Sequence, residues 1–409
     1  MLDGVFVSDL HLGSYPYGCI DSETGLNTRF IDLLNNFDTS IKFAIKNKCK
    51  FFVIAGDIYK VKHPTSDFRE QFTKRLIFLL KNKISVYIMT GNHDQTTGLN
   101  KAHSLIESQS FTNIISNLHI IDRPSNFVLS NENNTHSIIL SFLPHVNRAK
   151  FNLKSDEDFY QFQIDTIQKL NSDVITLSEK INIINKCDAK FLIAHFGTDK
   201  SERGGTQDIG VTKHPRVIPL NLLNDTDFDY VLLGDIHKHQ RLSEKAYHIG
   251  SIGKISFNEI DETKGFFFYN SNDDKLTFAK LKDRKFINLE LDVTKGDCNV
   301  KTKEFLENLN ITELSDAIVK LKININEDDL KIINLEDIKI VLNKNCWSFA
   351  GITKNVMRAD YDVSIELNED EDDIKGILSS INQYLEKIGK QDIKEEIEEV
   401  LILADKEIS

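Results

Sequence analysis

Val5-Phe6-Val7-Ser8-Asp9-Leu10-His11-Leu12-Gly13 is an apolar run that stops abruptly at a carboxylate and an imidazole. A short strand ending in Asp-x-His sets polar side chains where an α/β fold exposes its chemistry, at the carboxyl ends of strands. The arrangement recurs along the chain. Phe51-Phe52-Val53-Ile54 stops at Ala55-Gly56-Asp57, and a strand from Ile84 to Met89 runs into Thr90-Gly91-Asn92-His93-Asp94. Phe191-Leu192-Ile193-Ala194 delivers His195, and Tyr230-Val231-Leu232-Leu233 delivers Gly234-Asp235-Ile236-His237-Lys238-His239. Between the first strands, Phe30, Ile31, Leu33, Leu34, Phe37, Ile41, Ala44 and Ile45 have helical spacing, and a second helix is expected from Pro64-Thr65 to about Leu80. Strand, helix, strand in this order gives βαβ units and a mostly parallel sheet with helices on its faces.

The polar residues after these strands form the candidate site: Asp9, His11, Asp57, Asn92, His93, His195, His237 and His239. In extended backbone, side chains two apart point the same way, so Asp9 with His11 and His237 with His239 can each aim at one point. So many oxygen and nitrogen donors are too numerous for one ion and suit two, and their mixed character favours Mn, Fe or Zn over Mg or Ca. Two adjacent ions need a bridging carboxylate, and Asp57, alone at its strand end, is the expected bridge. His93 is expected to act as a catalytic acid or phosphate-positioning group, with Asp94 hydrogen-bonded to an imidazole to fix its tautomer. The basic loop Lys60-Val61-Lys62-His63 just beyond Asp57 supplies Lys60, Lys62 and His63 as candidate substrate contacts. The remaining histidines are read as structural or surface groups.

A chain of 409 residues is expected to hold more than one domain. Its five cysteines are scattered, with no C-x-x-C pair, which argues against a thiolate metal site or a disulfide scaffold. The apolar start is too short for a signal peptide and no run has the length of a membrane helix, so cytoplasmic residence without membrane contact is the expectation. The net charge of -12 is unevenly spread. Residues 281–409 hold 29 acids against 18 bases, leaving 33 against 32 for residues 1–280. The near-neutral part is therefore the better face for a phosphate polymer.

Later segments read less sharply. Asp156 to about Leu170 and Val174 to about Ile184 are expected as two helices. The segments 246–250, 265–269, 276–281 and 286–293 alternate, leave no room for crossovers and are expected to pair antiparallel as a second sheet closing a two-sheet sandwich. Beyond about Thr294 a smaller α+β region is expected. Its weak helices are Lys301–Leu309 and Leu314–Val319, and its strands are Leu321–Ile325, Asp337–Leu342 and Val363–Leu367. After the acid run Glu369-Asp370-Glu371-Asp372-Asp373, one-sided apolar spacing predicts two C-terminal helices.

The ordered blocks Asp9-Leu10-His11, Gly56-Asp57, Gly91-Asn92-His93-Asp94, His195 and Gly234-Asp235-Ile236-His237-Lys238-His239 resemble those of calcineurin-like metallophosphoesterases. Tyr247-His248-Ile249-Gly250-Ser251, Ser256-Phe257-Asn258-Glu259 and Lys264-Gly265-Phe266 resemble more narrowly the nuclease subunits of SbcCD-type DNA repair complexes and their phage recombination counterparts. The resemblance covers about residues 1–280. It implies a metallophosphoesterase domain over 1–280, a DNA-capping-like α+β domain over 281–370 and a C-terminal helical partner-binding segment over 371–409. It implies two ions, manganese favoured, one held by Asp9, His11, Asp57 and His239 and the other by Asp57, Asn92, His195 and His237, with His93 catalytic. DNA, an SMC-like coiled-coil ATPase and a second copy of the chain, through helices between about 65 and 110, are the implied partners. Gly234-Asp235 departs from the Gly-His of many relatives, leaving Asp235 as a partner behind the ligands or a neutral change.

The leading expectation is thus a Mn-dependent DNA endo/exonuclease of recombination and repair. The alternative is a stand-alone phosphatase or cyclic-nucleotide phosphodiesterase, for which the region beyond residue 294 has no evident use. A non-enzymatic assembly protein is the third reading, disfavoured by the full ligand set.

Overall fold

β1 (Gly4–Val7) is buried throughout, as an apolar run lacking alternation requires, and lies inside a sheet. It pairs in parallel with β2 (Phe51–Ala55) and antiparallel with β11 (Gly265–Asn270). β3 (Ser85–Met89) and β4 (Leu118–Ile121) extend the sheet in parallel beyond β2, and β12 (Lys275–Lys280) closes the other edge antiparallel to β11. This computed structural model describes residues 1–95, 104, 105, 110, 112, 114–146, 148, 149, 151–202 and 217–357, and the backbone of 366–367.

A second sheet has the order β5-β6-β7-β8-β10-β9, from β5 (Ser125–Ser130), β6 (His136–Leu143), β7 (Lys186–His195), β8 (Tyr230–Gly234), β9 (Gln240–Arg241) and β10 (Ala246–His248). β6, β7, β8 and β10 run parallel. The two sheets face each other across one core in which Phe6, Phe51, Val53, Tyr87 and Met89 meet Leu140, Phe142, Phe191, Ile193 and Leu232. Each fully buried phenylalanine there is worth roughly 1.5–3 kcal/mol relative to exposure, so the strand ends rise from a firmly anchored base.

Period-two alternation sends Val5, Val7, Phe52, Ile54, Val86 and Ile88 to the opposite face of the first sheet. α1 (Thr28–Lys46) and α2 (Ser66–Lys81) cover that face with Phe30, Phe37, Phe72, Leu76 and Leu79. Asn27 caps α1 by accepting from the Arg29 and Phe30 amides. α3 (Asp156–Ile184) and α4 (Leu220–Asn224) cover the second sheet through Ile167, Leu170, Val174 and Leu223. These layers belong to one compact unit, Met1–Tyr15 with Cys19–Asp283.

A second unit takes in the chain from Arg284 onward. β13 (Lys285–Asp292), β14 (Ala317–Asn326) and β15 (Ser348–Met357) run parallel, and β16 (Glu366–Leu367) is antiparallel to β15. α5 (Cys298–Glu307), α6 (Ile311–Leu314) and α7 (Leu335–Asn345) accompany this sheet. Its core is built from Leu291, Val319, Leu321, Ile323, Ile338 and Leu342.

Several expectations are corrected. The segment 156–184 is one helix of 29 residues, because the polar break at its centre is satisfied by side chains: Asn171 donates to Asp227 at 3.2 Å and Asn126 donates to Asp173 at 3.4 Å. Segment 246–248 pairs parallel with β8, segments 265–270 and 275–280 join the first sheet, and 285–292 belongs to the second unit. Ala317–Val319 is strand, and 337–342 is helix, capped by Asn334 and anchored by Ile338 and Leu342 one turn apart. The expected strand residues 363–365 and the C-terminal helices lie outside the described residues. No described helix is long and apolar enough to cross a membrane.

Candidate metal centre

The loops after β1 and β2 continue to hydrogen-bond past the ends of their strands. Asp9 N donates to Gly56 O at 3.1 Å, His11 N to Asp57 O at 3.0 Å and Leu12 N to Ile58 O at 2.9 Å. The two loops are thereby zipped side by side, with Asp9, His11 and Asp57 at φ of 50°, 42° and 52°. Non-glycine residues in this left-handed region are uncommon and strained, and such strain is found at functional sites.

Three overlapping groups of donors result: Asp9, His11 and His237; Asp9, Asp57 and His195; and His11, Asp57 and His93, each with ligand atoms within 4.8 Å of one another. Any two of the groups share one residue, Asp9, His11 or Asp57, and two of them meet at Asp57. Its Oδ2 lies 3.5 Å from His11 Nε2, and its Oδ1 lies 3.4 Å from His195 Nε2 and accepts the His93 amide at 2.9 Å. Asn92 Oδ1 is 3.0 Å from His195 Nε2, and the Nε2 atoms of His11 and His237 are 2.9 Å apart.

The imidazoles are oriented from behind. His195 donates from Nδ1 to Ala55 O at 2.8 Å, His93 from Nδ1 to Lys60 O at 3.1 Å, and His237 from Nδ1 to Glu259 Oε1 at 2.9 Å. In the neutral rings of His195 and His237 the bond leaves Nε2 as a lone-pair donor, and in His93 it aims Nε2 outward as the nitrogen at which a proton is carried and given up.

The donor set fits a pair of divalent ions. Both buried oxygens of Asp9 lack a hydrogen-bond partner, and burial pushes its carboxyl up to about 6. Asn92 directs its amide oxygen at the Asp57 carboxylate and His195, a gathering of acceptors that only a cation or rotation of the amide relieves. Without a cation, burial opposes charge on both groups but the Asp57 carboxylate is held low and the His195 imidazole high by each other, the imidazolium standing where a cation would otherwise balance Asp57. His11 is pushed down by burial and by the neighbouring His237. Buried unpaired oxygens, converging imidazoles and a carboxylate shared by two of the donor groups are consistent with a two-metal site of the kind hydrolases use to cleave phosphate esters.

Not every expected residue behaves as the spacing suggests. Asp94 does not hold the His93 ring. It is fully buried and accepts from Ile58 N at 3.1 Å, Gly91 N at 2.9 Å and the Ser104 hydroxyl at 3.2 Å, so it stitches the β2 and β3 loops together. His239 is in none of the three groups: its ring stacks on Phe278 at a centroid distance of 3.5 Å, and its Nδ1 donates to His248 O at 3.0 Å. Lys60 donates to Ser14 O at 3.0 Å with its ammonium over the Tyr15 ring, Lys62 is half-buried and His63 is exposed.

Sequence reasoning assigned no role to Glu259, which is 1% exposed and joins His237 to a fully buried Lys264. Lys264 also donates to Glu262 at 2.6 Å, Ser251 Oγ at 2.8 Å and His237 O at 3.2 Å. The signals were their place in the blocks Ser256-Phe257-Asn258-Glu259 and Lys264-Gly265-Phe266 and a cation and a carboxylate close together within a short loop.

Two helix-flanked mixed sheets with such a centre at their strand ends define a metal-dependent phosphoesterase. Residues 5–239, more than half of the chain, match the calcineurin-like phosphoesterase family, and the chain belongs to it. It is similar to the DNA double-strand break repair protein Mre11 of Archaeoglobus fulgidus, 28% identical over 109 residues, 27% of this chain and 23% of the relative. It is also similar to the D component of the nuclease SbcCD of Escherichia coli K12, 23% identical over 274 residues, 63% of this chain and 62% of the relative. The chain thus spans less than two thirds of either relative. A dimetal phosphatase from Danio rerio superposes with a TM-score of 0.41 at 12% identity, covering 68% of this chain and 95% of that one, too slight a likeness to carry an argument.

Proposed function

We propose that this chain is a DNA nuclease that hydrolyses phosphodiester bonds with two divalent ions, Mn2+ favoured, and works with an SMC-like ATPase in recombination or repair. The observation that carries the reading is the convergence of Asp9, His11, Asp57, His93, His195 and His237 in three overlapping donor groups linked through Asp9, His11 and Asp57. The distant similarity to a component of a nuclease and to a break-repair protein supports DNA as the substrate class and an ATPase as the partner.

In this reading Asp9, His11 and His237 would hold one ion and Asn92 and His195 would help to hold the other, with Asp57 within reach of His11 and His195 alike. When bound, the ions supply charge neutralisation at the phosphate and a water acidic enough to react near neutral pH. The chain's own part is to fix donors and protons. His195 and His237 are held as Nε2 donors by Ala55 O and Glu259. His93, tied through its amide to Asp57 and through Nδ1 to Lys60 O, presents Nε2 as the group that protonates the leaving oxygen as water adds to phosphorus and the ester bond breaks. Lys62 and His63 flank the substrate path. The region 281–370 is assigned to DNA capping and 371–409 to ATPase contact.

Cleavage of linear duplex and hairpin DNA with Mn2+, beside p-nitrophenyl phosphate, by the chain alone and with a co-expressed SMC-like ATPase, tests this. DNA cleavage that falls at least a hundredfold in His93→Asn, with metal content unchanged, is expected. Turnover of the small ester with none of DNA in any arm would instead indicate a phosphatase.

A further inference from the structure

β6 ends at Leu143, which is paired with Ala194, so the chain leaves the sheet beside the strand end that delivers His195. His145, two residues on, is held there by its main chain: its amide donates to Thr90 O at 3.1 Å and its carbonyl accepts from Gln95 Nε2 at 2.6 Å. Thr90 and Gln95 bracket Gly91-Asn92-His93-Asp94, so the two bonds tie His145 to the loop that carries Asn92 and His93.

The ring of His145 is left for another task. It stands at right angles to the His195 ring, with centroids 6.5 Å apart, and belongs to none of the three donor groups, so it lies beside the centre rather than in it. The charges that act on it are those of His195, Asp57, His93 and Lys62. Among the described residues no group hydrogen-bonds to either of its ring nitrogens, whereas the rings of His93, His195, His237, His239 and His248 are each tied to a carbonyl, a carboxylate or a hydroxyl. His145 is partly exposed, yet burial pushes its pKa down to about 4 and His195 pushes the same way, so it presents a neutral imidazole with one N–H to give. The two oxygens of Asp57 mark two sides of the centre, Oδ2 at 3.5 Å from His11 and Oδ1 at 3.4 Å from His195. His93 stands on the first side, its ring 4.9 Å from that of His11, and His145 stands on the second.

We propose that His145 touches the substrate, its imidazole N–H donating to a non-bridging oxygen of the phosphate at this centre from the His195 side, while His93 serves the leaving oxygen from the His11 side. The proposal rests on the phosphoester-hydrolase reading above. No proton leaves His145 in this role, and the bond that breaks is still the one whose oxygen His93 protonates. A donor on the far side from His93 keeps the phosphate from turning, and so decides which ester oxygen His93 meets.

The test is binding of inorganic phosphate to the Mn2+-loaded full chain by calorimetry, beside steady-state hydrolysis of bis-p-nitrophenyl phosphate, with bound metal counted by mass spectrometry. His145→Ala and His145→Phe should weaken phosphate roughly tenfold or more, the worth of one hydrogen bond to a charged acceptor. KM for the diester should rise by a similar factor, with kcat changed less and metal content as in the wild type. His145→Gln, which keeps an N–H donor, should recover part of both losses. The contacts to Thr90 and Gln95 are made by main-chain atoms and survive each replacement, and the Gln and Ala variants alone decide the matter if the larger Phe ring prevents folding. Phosphate affinity and KM within roughly twofold of wild type in His145→Ala would overturn the assignment. So would a Gln variant no better than Ala, or weakened phosphate that comes with lost metal, which would make His145 a support for His195 instead. A wild-type chain that binds Mn2+ and phosphate yet hydrolyses neither the diester nor DNA would overturn the hydrolase reading, while the phosphate affinities would still report on His145.

Discussion

Replacing Lys264 with methionine keeps the length of a side chain that is fully buried and removes its charge. Three acceptors lose a hydrogen bond, Glu262 Oε2 at 2.6 Å, Ser251 Oγ at 2.8 Å and His237 O at 3.2 Å, and Glu259 Oε2 loses its ion pair at 3.0 Å. Breaking a buried ion pair on one side costs roughly 3–5 kcal/mol. Glu259 retains His237 Nδ1 at 2.9 Å and the Ile255 amide at 3.0 Å, which places the expectation at the lower end, about 3 kcal/mol. Removing the carboxylate charge as well, in Glu259→Gln with Lys264→Met, should recover about 1 kcal/mol, because the more deeply buried of the two carboxylates is then neutral and only Glu262 is left without its cation.

The sign with pH follows from Glu259. Burial pushes its carboxyl up, but the His237 hydrogen bond and the Lys264 ammonium outweigh burial and hold it at about 2, below the ordinary 4.5. In the wild type its contribution is complete above about 4.5 and is lost as pH falls through about 2. In Lys264→Met the carboxyl pKa rises, so protonation relieves the penalty and the deficit against wild type shrinks as pH falls from 7 toward 4. Urea unfolding followed by circular dichroism across that range measures both effects. A deficit under 1 kcal/mol at pH 7, or one independent of pH, would refute the reasoning.

Gly91→Ala should weaken both ions by at least tenfold, since a Cβ there overlaps Asp57 Oδ1 and the Asp57 amide; Mn2+ titration showing wild-type affinity for both would contradict a shared carboxylate. His119 is partly buried on Tyr87 with its ring stacked at 4.6 Å, and burial lowers its pKa below 6.5. The unfolded chain therefore protonates first, and stability should fall as pH drops from about 6.5 to the folded pKa, with a shallower slope in His119→Gln on the same unfolding curves.

The ligand-bearing strand ends were legible because apolar runs stop at polar side chains, and the sheet's geometry then forces those ends together. Pairing partners were less legible. The alternation of Phe286 to Val293 is that of any half-buried strand, and nothing local says whether it joins the preceding sheet or a new one, as β13 does. The run Ile338 to Leu342 has the β-branched content of a strand, yet its cap at Asn334 and the acids in its first turn select a helix. At the centre, Asp57 could be read as a bridge from its isolation, whereas the tasks of Glu259 and Asp94 depend on folded distances. Spacing set His237 and His239 as equals, and the folded contacts distinguish them: His237 meets His11 and Glu259, whereas His239 is engaged by Phe278 and the His248 carbonyl.

The left-handed turns at Asp9, Asp57 and Asp235 also limit how this protein can drift. A β-branched replacement would have to rebuild the bend, whereas asparagine accepts it with little penalty and almost no change of volume. A lineage released from selection for hydrolysis would thus shed charge before shape, and its silent descendants would keep the outline of an enzyme.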